Sequence, residues 1–253
     1  MTKKIFIISL FLVSIPQMAL ADGYRFEAEK TIALSDHDDK KPWKGEGEFG
    51  FTQTTGNTDT QNLIGKLGIN YLKQSWEHTF NIASLRAEDS NKLTAESYGL
   101  KFQSDYKWSE KHYWFNRIKY EDDRFSGYDY QASISTGYGF NVFETKISSL
   151  SLEAGVGFRQ SQLIGATDAE QEPIAVAKID YSRKIGSHTT FTQDFSIDAG
   201  SENIHSEANT GLKVSITDTI AMKFSYSLKN NSEVAANVEK TDGITAVTLV
   251  YGF

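Results

Sequence analysis

Apolar and polar residues alternate with a period of two from Trp43 to the end of the chain. The pattern is clearest over Leu150–Phe158, where the even positions are apolar and the odd positions carry Ser, Glu or Gly. Successive side chains of a strand point to opposite faces, so each such segment predicts a strand with one apolar and one polar face. The segments lie at approximately 43–54, 61–72, 76–87, 95–108, 112–121, 130–143, 147–161, 174–184, 189–199, 207–217, 220–229 and 243–253.

The connections between these segments alternate in length. Short polar turns such as Lys73–Ser75 and Thr217–Thr219 are interleaved with longer loops such as Gln162–Pro173 and Asn230–Asp242. Outer-membrane barrels have short turns on the periplasmic side and longer loops outside. An even number of strands also returns both ends of the barrel to the short-turn side. The sequence therefore predicts an all-β fold, a twelve-stranded antiparallel up-and-down transmembrane β-barrel spanning 43–253.

The strands of a soluble β-sandwich would show the same alternation of apolar and polar residues. The positions of the aromatic residues distinguish the sandwich from the membrane barrel. Residues such as Trp43, Trp76 and Trp108 stand at the short-turn ends of segments, whereas Tyr98 and Tyr226 stand towards the long-loop ends. Amphipathic rings prefer the headgroup depth of a membrane, so two aromatic belts are expected of a membrane barrel. Two polar residues, Asn116 and Gln193, fall on the predicted lipid-facing phase, which a bulge or a subunit contact would explain.

The two ends of the chain indicate export to the bacterial outer membrane. Residues 1–21 have the basic start, apolar centre and small-residue cleavage site of a signal peptide. Residues 22–42 are polar and predict a periplasmic N-terminal tail. Its Asp36–Asp39 stretch could bind a metal, but adjacent polar residues on a tail are more often solvated. The final strand ends on Tyr251 and Phe253 and resembles the strand that the barrel-assembly machinery recognises in outer-membrane proteins of Gram-negative bacteria.

Two stretches carry a resemblance to a known family. Phe51–Thr58 (FTQTTGNT) closes the first predicted strand, and Tyr120–Tyr130 (YEDDRFSGYDY) spans a long loop. Together they resemble landmarks of the YdiY-like family, whose members are described as salt-induced outer-membrane proteins with a domain of unknown function. The resemblance implies an outer-membrane β-barrel and names no substrate.

Charged residues on the polar phase are expected to line the lumen of the barrel. Both signs are present, so the same residues fit either a narrow passive, porin-like channel for ions or small solutes, or a structural, envelope-stress barrel whose lumen is occluded by ion pairs. The narrow passive channel is the predicted function, and the occluded structural barrel is the alternative. The predicted lumen-lining residues are Lys66, Lys101, Asp105, Arg117, Lys119, Glu153, Arg159, Lys178, Asp180, Asp194, Lys213 and Lys223.

The long loops are predominantly acidic, which predicts a negative extracellular mouth. Such a rim would concentrate cations and link to lipopolysaccharide phosphates through weakly bound Ca²⁺ or Mg²⁺, although a simple solvated rim would look the same. Outer-membrane lipid and lipopolysaccharide are therefore the expected surroundings. The predicted rim residues are Glu121, Asp122, Asp123, Asp168, Glu170 and Glu172.

Other classes of function are disfavoured by the composition. The chain has no cysteine, which excludes thiol catalysis and cysteine-bound metals. Outer-membrane phospholipases need a serine and a histidine near the outer rim, but only His205 lies there, and no Gly-x-Ser-x-Gly motif accompanies it. We therefore expect no enzyme, no catalytic or metal-ligating residue, and no cofactor. The net charge of −7 disfavours nucleic-acid binding.

Overall fold

The computed structural model describes residues 42–54, 60–90, 92–123, 126–235 and 238–253. These residues form one closed antiparallel barrel in which each strand pairs with its neighbours in sequence and the last strand pairs with the first. The predicted signal peptide and nearly all of the predicted tail lie outside the described residues. The strands are β1 Trp43–Thr54, β2 Thr60–Lys73, β3 Trp76–Asp89, β4 Lys92–Lys107, β5 His112–Asp123, β6 Tyr128–Glu144, β7 Ser148–Leu163, β8 Glu170–Ile185, β9 Thr189–Ala199, β10 Ile204–Ser215, β11 Ile220–Asn231 and β12 Thr241–Gly252.

The predicted fold class is confirmed, and the segments match the observed strands closely. The main differences lie at the long-loop ends, where β4, β8 and β10 begin three or four residues earlier than predicted. These extensions are polar, so hydropathy does not mark them, although their backbone still pairs with the neighbouring strands. The extensions of β8 and β10 place Glu172 and His205 inside the barrel.

The two faces of the barrel have opposite character. Large apolar side chains such as Val156 and Phe158 are 65% and 66% exposed on the outer face, while Arg117 and Glu153 are buried on the inner face. Among the described residues, no helix is long and apolar enough to cross a membrane. An apolar outer face and a polar interior suit a barrel surrounded by lipid, in keeping with the transmembrane fold.

The two polar residues on the lipid-facing phase find partners on neighbouring strands. The Thr136 hydroxyl of β6 donates a hydrogen bond of 2.9 Å to Asn116 Oδ1 on β5. On the other side of the barrel, the Thr210 hydroxyl donates one of 2.6 Å to Gln193 Oε1. Each amide oxygen is therefore satisfied within the outer face, which lowers the free-energy cost of placing it against lipid.

Glycines on the inner face make room for aromatic rings. A Cβ atom at Gly139 of β6 would lie 2.1 Å from the ring of Tyr113 on β5, and one at Gly155 of β7 would lie 3.0 Å from the ring of Phe115. Both rings are almost fully buried inside the barrel. The glycines of β6 and β7 therefore leave space that aromatic rings fill, and the interior is packed here.

The barrel closes at a short seam between β1 and β12. The registered pairs run from Glu46↔Gly252 to Phe49↔Leu249. Gly45 and Phe253 extend this ladder by two backbone hydrogen bonds of 2.9 Å each. Within the described chain, Gly50–Thr54 have partners on β2 but no registered partner on β12. Among the described residues, the registered pairs of the seam thus lie at its short-turn end.

Candidate functional site

The predicted lumen-lining residues all lie on the inner face of the barrel, where the structure buries or half-buries their side chains. They are Lys66, Lys101, Asp105, Arg117, Lys119, Glu153, Arg159, Lys178, Asp180, Asp194, Lys213 and Lys223. A charge in a low-dielectric interior needs a partner, and ion pairs are present at three levels between the short-turn end and the long-loop end.

At the short-turn end, two glutamates of β1 bind three lysines. Glu48 lies 3.7 Å from Lys66 Nζ on β2 and 2.9 Å from Lys223 Nζ on β11. Glu46 accepts a hydrogen bond of 2.6 Å from Lys213 Nζ on β10. These pairs join β1 to strands on both sides of the seam, so they support the closure that the short ladder begins.

At mid-height, polar groups from β4, β5 and β7 converge on Glu153. Arg117 forms an ion pair with it, Gln103 Nε2 donates a hydrogen bond of 2.9 Å, and the Tyr113 hydroxyl donates one of 3.0 Å. On β8, Lys178 Nζ lies 2.7 Å from Asp180 Oδ1. The contacts of Glu153 join strands on one side of the barrel, and the Lys178–Asp180 pair lies within β8.

Near the long-loop end, ion pairs cross the lumen. Lys229 Nζ on β11 lies 2.5 Å from Glu121 Oε1 on β5. In the closed order of twelve strands, β5 and β11 are separated by five strands in either direction, so this pair joins opposite walls. Lys119 of β5 also reaches across, with its Nζ 3.5 Å from Glu207 Oε1 on β10 and 3.6 Å from Asp198 Oδ2 on β9.

We call this group the cross-lumen clamp. It draws on β5, β9, β10 and β11, and its charged groups are three carboxylates, two lysines and one histidine: Lys119, Glu121, Asp198, His205, Glu207 and Lys229. Glu207 is 1% exposed and Lys229 is 4% exposed, so the clamp is shielded from solvent. An arrangement of this kind can close the lumen or hold a small cation.

His205 is held in the clamp by a chain of two asparagines. Asn203 Nδ2 donates a hydrogen bond of 2.9 Å to Asn231 Oδ1, and the same oxygen lies 2.9 Å from His205 Nδ1. The other ring nitrogen, Nε2, contacts Glu207 Oε1. The ring is therefore oriented by Asn231 on one side, and its Nε2 is aimed at a carboxylate on the other.

A further ion pair ties the loop between β9 and β10 to the barrel wall. Arg159 Nε on β7 donates a hydrogen bond of 3.1 Å to Glu172 Oε1 on β8. The second oxygen of Glu172 accepts a hydrogen bond of 2.8 Å from the backbone N–H of Glu202 in that loop. The loop that leads into His205 is thus anchored to the inner wall.

The predicted acidic rim divides into two groups. Asp168 and Glu170 are exposed at the long-loop end, and Asp122 is half-buried. Glu121, Asp123 and Glu172 are not rim residues, and for them the prediction was wrong: Asp123 and Glu172 are buried, and Glu121 faces Lys229 across the lumen. The reason is that β5 and β8 continue further than predicted, so these positions keep the inward phase of their strands.

Three residues of the clamp were not predicted as candidate site residues: His205, Glu207 and Lys229. The signal for them was present, because β10 alternates without interruption from His205 through Glu207 to the predicted lumen residue Lys213. Glu207 is the first residue of the predicted segment 207–217, and extending the inward phase of that segment by two residues would have placed His205 inside as well. Their meeting with β5 depends on closure of the barrel and has no local signal.

Comparison with known structures supports the fold. The translocator domain of the autotransporter NalP from Neisseria meningitidis superimposes with a TM-score of 0.50 at 11% identity, covering 86% of this chain and 90% of that one. The NanC porin gives a TM-score of 0.47 at 11% identity, covering 83% and 97%. At this low identity, the similarity to the translocator domain supports the β-barrel architecture alone.

Comparison of sequences gives the family. Escherichia coli (strain K12) has a relative, described as "Uncharacterized protein YdiY", that is 25% identical over 215 residues, or 84% of each chain. The predicted YdiY-like resemblance is thereby confirmed. A family profile matches residues 47–253, from β1 through every later strand to the final residue. The chain therefore belongs to the family described as "Protein of unknown function, DUF481".

Proposed function

We propose that this protein is a bacterial outer-membrane barrel whose lumen is closed by the cross-lumen clamp, and that it serves the envelope structurally and not as an open channel. The observation that carries this proposal is the ion pair of 2.5 Å between Lys229 and Glu121, on opposite walls. It favours the occluded alternative over the narrow porin-like channel that the sequence predicted.

The dimensions of the barrel make closure by side chains reasonable. Twelve strands spaced at about 4.8 Å and tilted by roughly 40° give a backbone diameter of about 24 Å. Inward side chains reduce the free width to about 10 Å or less. The clamp lysines and glutamates extend from opposite walls into that space and meet, so hydrated ions would have to break buried ion pairs in order to pass.

The surroundings of the barrel follow from the same proposal. The long-loop end, with exposed Asp168 and Glu170, would face the cell exterior and contact lipopolysaccharide, with divalent cations between the acidic groups and the phosphates. The short-turn end, with Phe253, would face the periplasm and be recognised by the barrel-assembly machinery. A role in the response to salt is the proposal suggested by the family resemblance. None of these roles requires catalysis.

Single-channel recording in planar lipid bilayers tests the closed lumen. We expect the purified wild-type barrel to give no conductance steps. Changing Lys119→Ala and Lys229→Ala together removes both lysines and leaves three carboxylates facing one another, which repel and admit water. This double variant should show discrete steps.

A matched control comes from a lysine that binds within one wall. Lys107 of β4 lies 2.6 Å from Glu77 of the adjacent β3. Lys107→Ala therefore removes an ion pair without changing the clamp, and this variant should give no conductance steps. Steps of constant size from the wild type would contradict the proposal and support the narrow channel. Heat-modifiable migration in gel electrophoresis verifies that each variant is folded.

A further inference from the structure

Three side chains of the clamp bring metal-binding atoms together inside the lumen. One ligand atom from each of Glu121, His205 and Glu207 lies within 4.8 Å of the others. His205 and Glu207 are buried on β10, and Glu121 reaches them from the opposite wall on β5. The cluster thus has mixed ligand chemistry, one imidazole and two carboxylates, in a shielded position.

The orientation of His205 is that of a metal-binding histidine. Because Asn203 Nδ2 donates to Asn231 Oδ1, that oxygen is an acceptor, and His205 Nδ1 must carry the hydrogen that it receives. In the neutral ring, Nε2 then presents its lone pair to the Glu207 carboxylate. Two electron-rich atoms in contact need a cation between them, either a proton or a metal ion. Metal-ligating histidines typically have their other ring nitrogen fixed in this way.

The charge balance of the clamp also favours the binding of a cation. Three carboxylates, Glu121, Asp198 and Glu207, face two lysines, Lys119 and Lys229. With a neutral histidine this leaves one excess negative charge, three minus two. A metal on Glu121 would take the position of the Lys229 ammonium group. Lys229 Nζ also lies 4.0 Å from Glu207, and the flexible lysine side chain allows the ammonium group to move away from Glu121.

We propose that His205 Nε2 and the carboxylates of Glu207 and Glu121 bind one divalent transition-metal ion, with Zn²⁺ as the reference case. Imidazole nitrogen with carboxylate oxygen suits Zn²⁺, Ni²⁺ or Cu²⁺, whereas Ca²⁺ and Mg²⁺ take oxygen ligands. The ion would join β5 to β10 across the lumen in place of the link that Lys229 makes with Glu121. This site differs from the weak Ca²⁺ or Mg²⁺ sites proposed at the loops, and it does not depend on whether the lumen conducts.

Isothermal titration calorimetry with Zn²⁺ tests the site directly. The full chain, refolded in detergent and stripped of metal, is expected to bind one Zn²⁺ per molecule. His205→Ala should abolish this binding, and Asn231→Leu should weaken it by about 10–100-fold because the ring loses its orienting partner. If His205→Ala does not fold, Glu207→Gln serves as the second variant and should also lose the site.

Two control variants separate this site from other histidines. His188→Ala changes an exposed histidine at a short turn, and His37→Ala changes the only histidine before residue 43. Both should bind as the wild type does. X-ray absorption at the zinc edge should show one imidazole with oxygen ligands. No Zn²⁺ binding by the wild type, or binding that persists in His205→Ala and Glu207→Gln, would overturn the proposal.

Discussion

At the scale of single residues, the interior tolerates little added volume where rings cover glycines. Gly139→Ala would place a methyl group 2.1 Å from the ring of buried Tyr113. The ring cannot shift freely, since its hydroxyl group donates a hydrogen bond to Glu153. We expect the free energy of unfolding to fall by about 1–3 kcal/mol, as is usual for overpacking. Urea unfolding of the barrel in lipid vesicles measures this difference.

The matched control is another strand glycine. A Cβ atom at Gly65 of β2 would have no neighbour within 4 Å, so Gly65→Ala should leave the unfolding free energy unchanged or raise it by less than about 1 kcal/mol. Equal losses at both glycines would mean that strand glycines are sensitive in general and that the contact with Tyr113 is unimportant.

At the scale of elements, the final strand closes the barrel through very few contacts. Phe253 exchanges two backbone hydrogen bonds with Gly45, and the registered ladder continues only to Phe49. An unpaired strand edge is unfavourable in lipid, and the assembly machinery would recognise this strand. Changing Tyr251→Ser and Phe253→Ser together should therefore block membrane insertion, measured as loss of heat-modifiable protein from the membrane fraction.

The control for this prediction preserves the seam. Phe224 and Tyr226 of β11 are 51% and 42% exposed on the outer face, similar to Tyr251 at 55% and Phe253 at 64%. Phe224→Ser with Tyr226→Ser removes comparable apolar surface from the strand before the last, which does not form the seam, and it should insert at a reduced but measurable level. Equal loss in both double variants would show that lipid contact, and not the terminal strand, limits assembly.

Comparison of the elements also shows what could be predicted from the sequence. The alternation of β7 specified which of its residues face inwards, since a slip by one residue would move Glu153 and Arg159 into lipid. It could not specify partners: Arg117 binds Glu153 two strands away, whereas Lys119 in the same strand binds Glu207 across the barrel. Nor could hydropathy mark the polar end of β5, so Glu121 was assigned to the rim. Partner choice depends on closure and shear, which are properties of the whole sheet.

At the scale of the whole molecule, closure should be insensitive to salt. The Debye length falls from about 8 Å at physiological ionic strength to about 3 Å at 1 M. That change screens exposed charges, but the clamp residues Glu207 and Lys229 are almost fully buried. Wild-type barrels in planar bilayers should therefore remain silent from 0.1 to 1 M KCl. Steps that appear only at high salt would mean that solvent ions reach the clamp.

The short seam has a mechanical consequence. Trp43 and Phe253 lie at the same end of the barrel, and β1 and β12 run in opposite directions beside each other. Tension applied between these two residues would pull the strands apart sideways and load their hydrogen bonds one pair at a time, beginning at Gly45. Such unzipping resists force far less than shearing does, because the bonds do not share the load. Once Phe49 separates from Leu249, no registered pair between these strands remains among the described residues. With the ion pairs of Glu46 and Glu48 to β10 and β11 also broken, the barrel would open into a curved sheet.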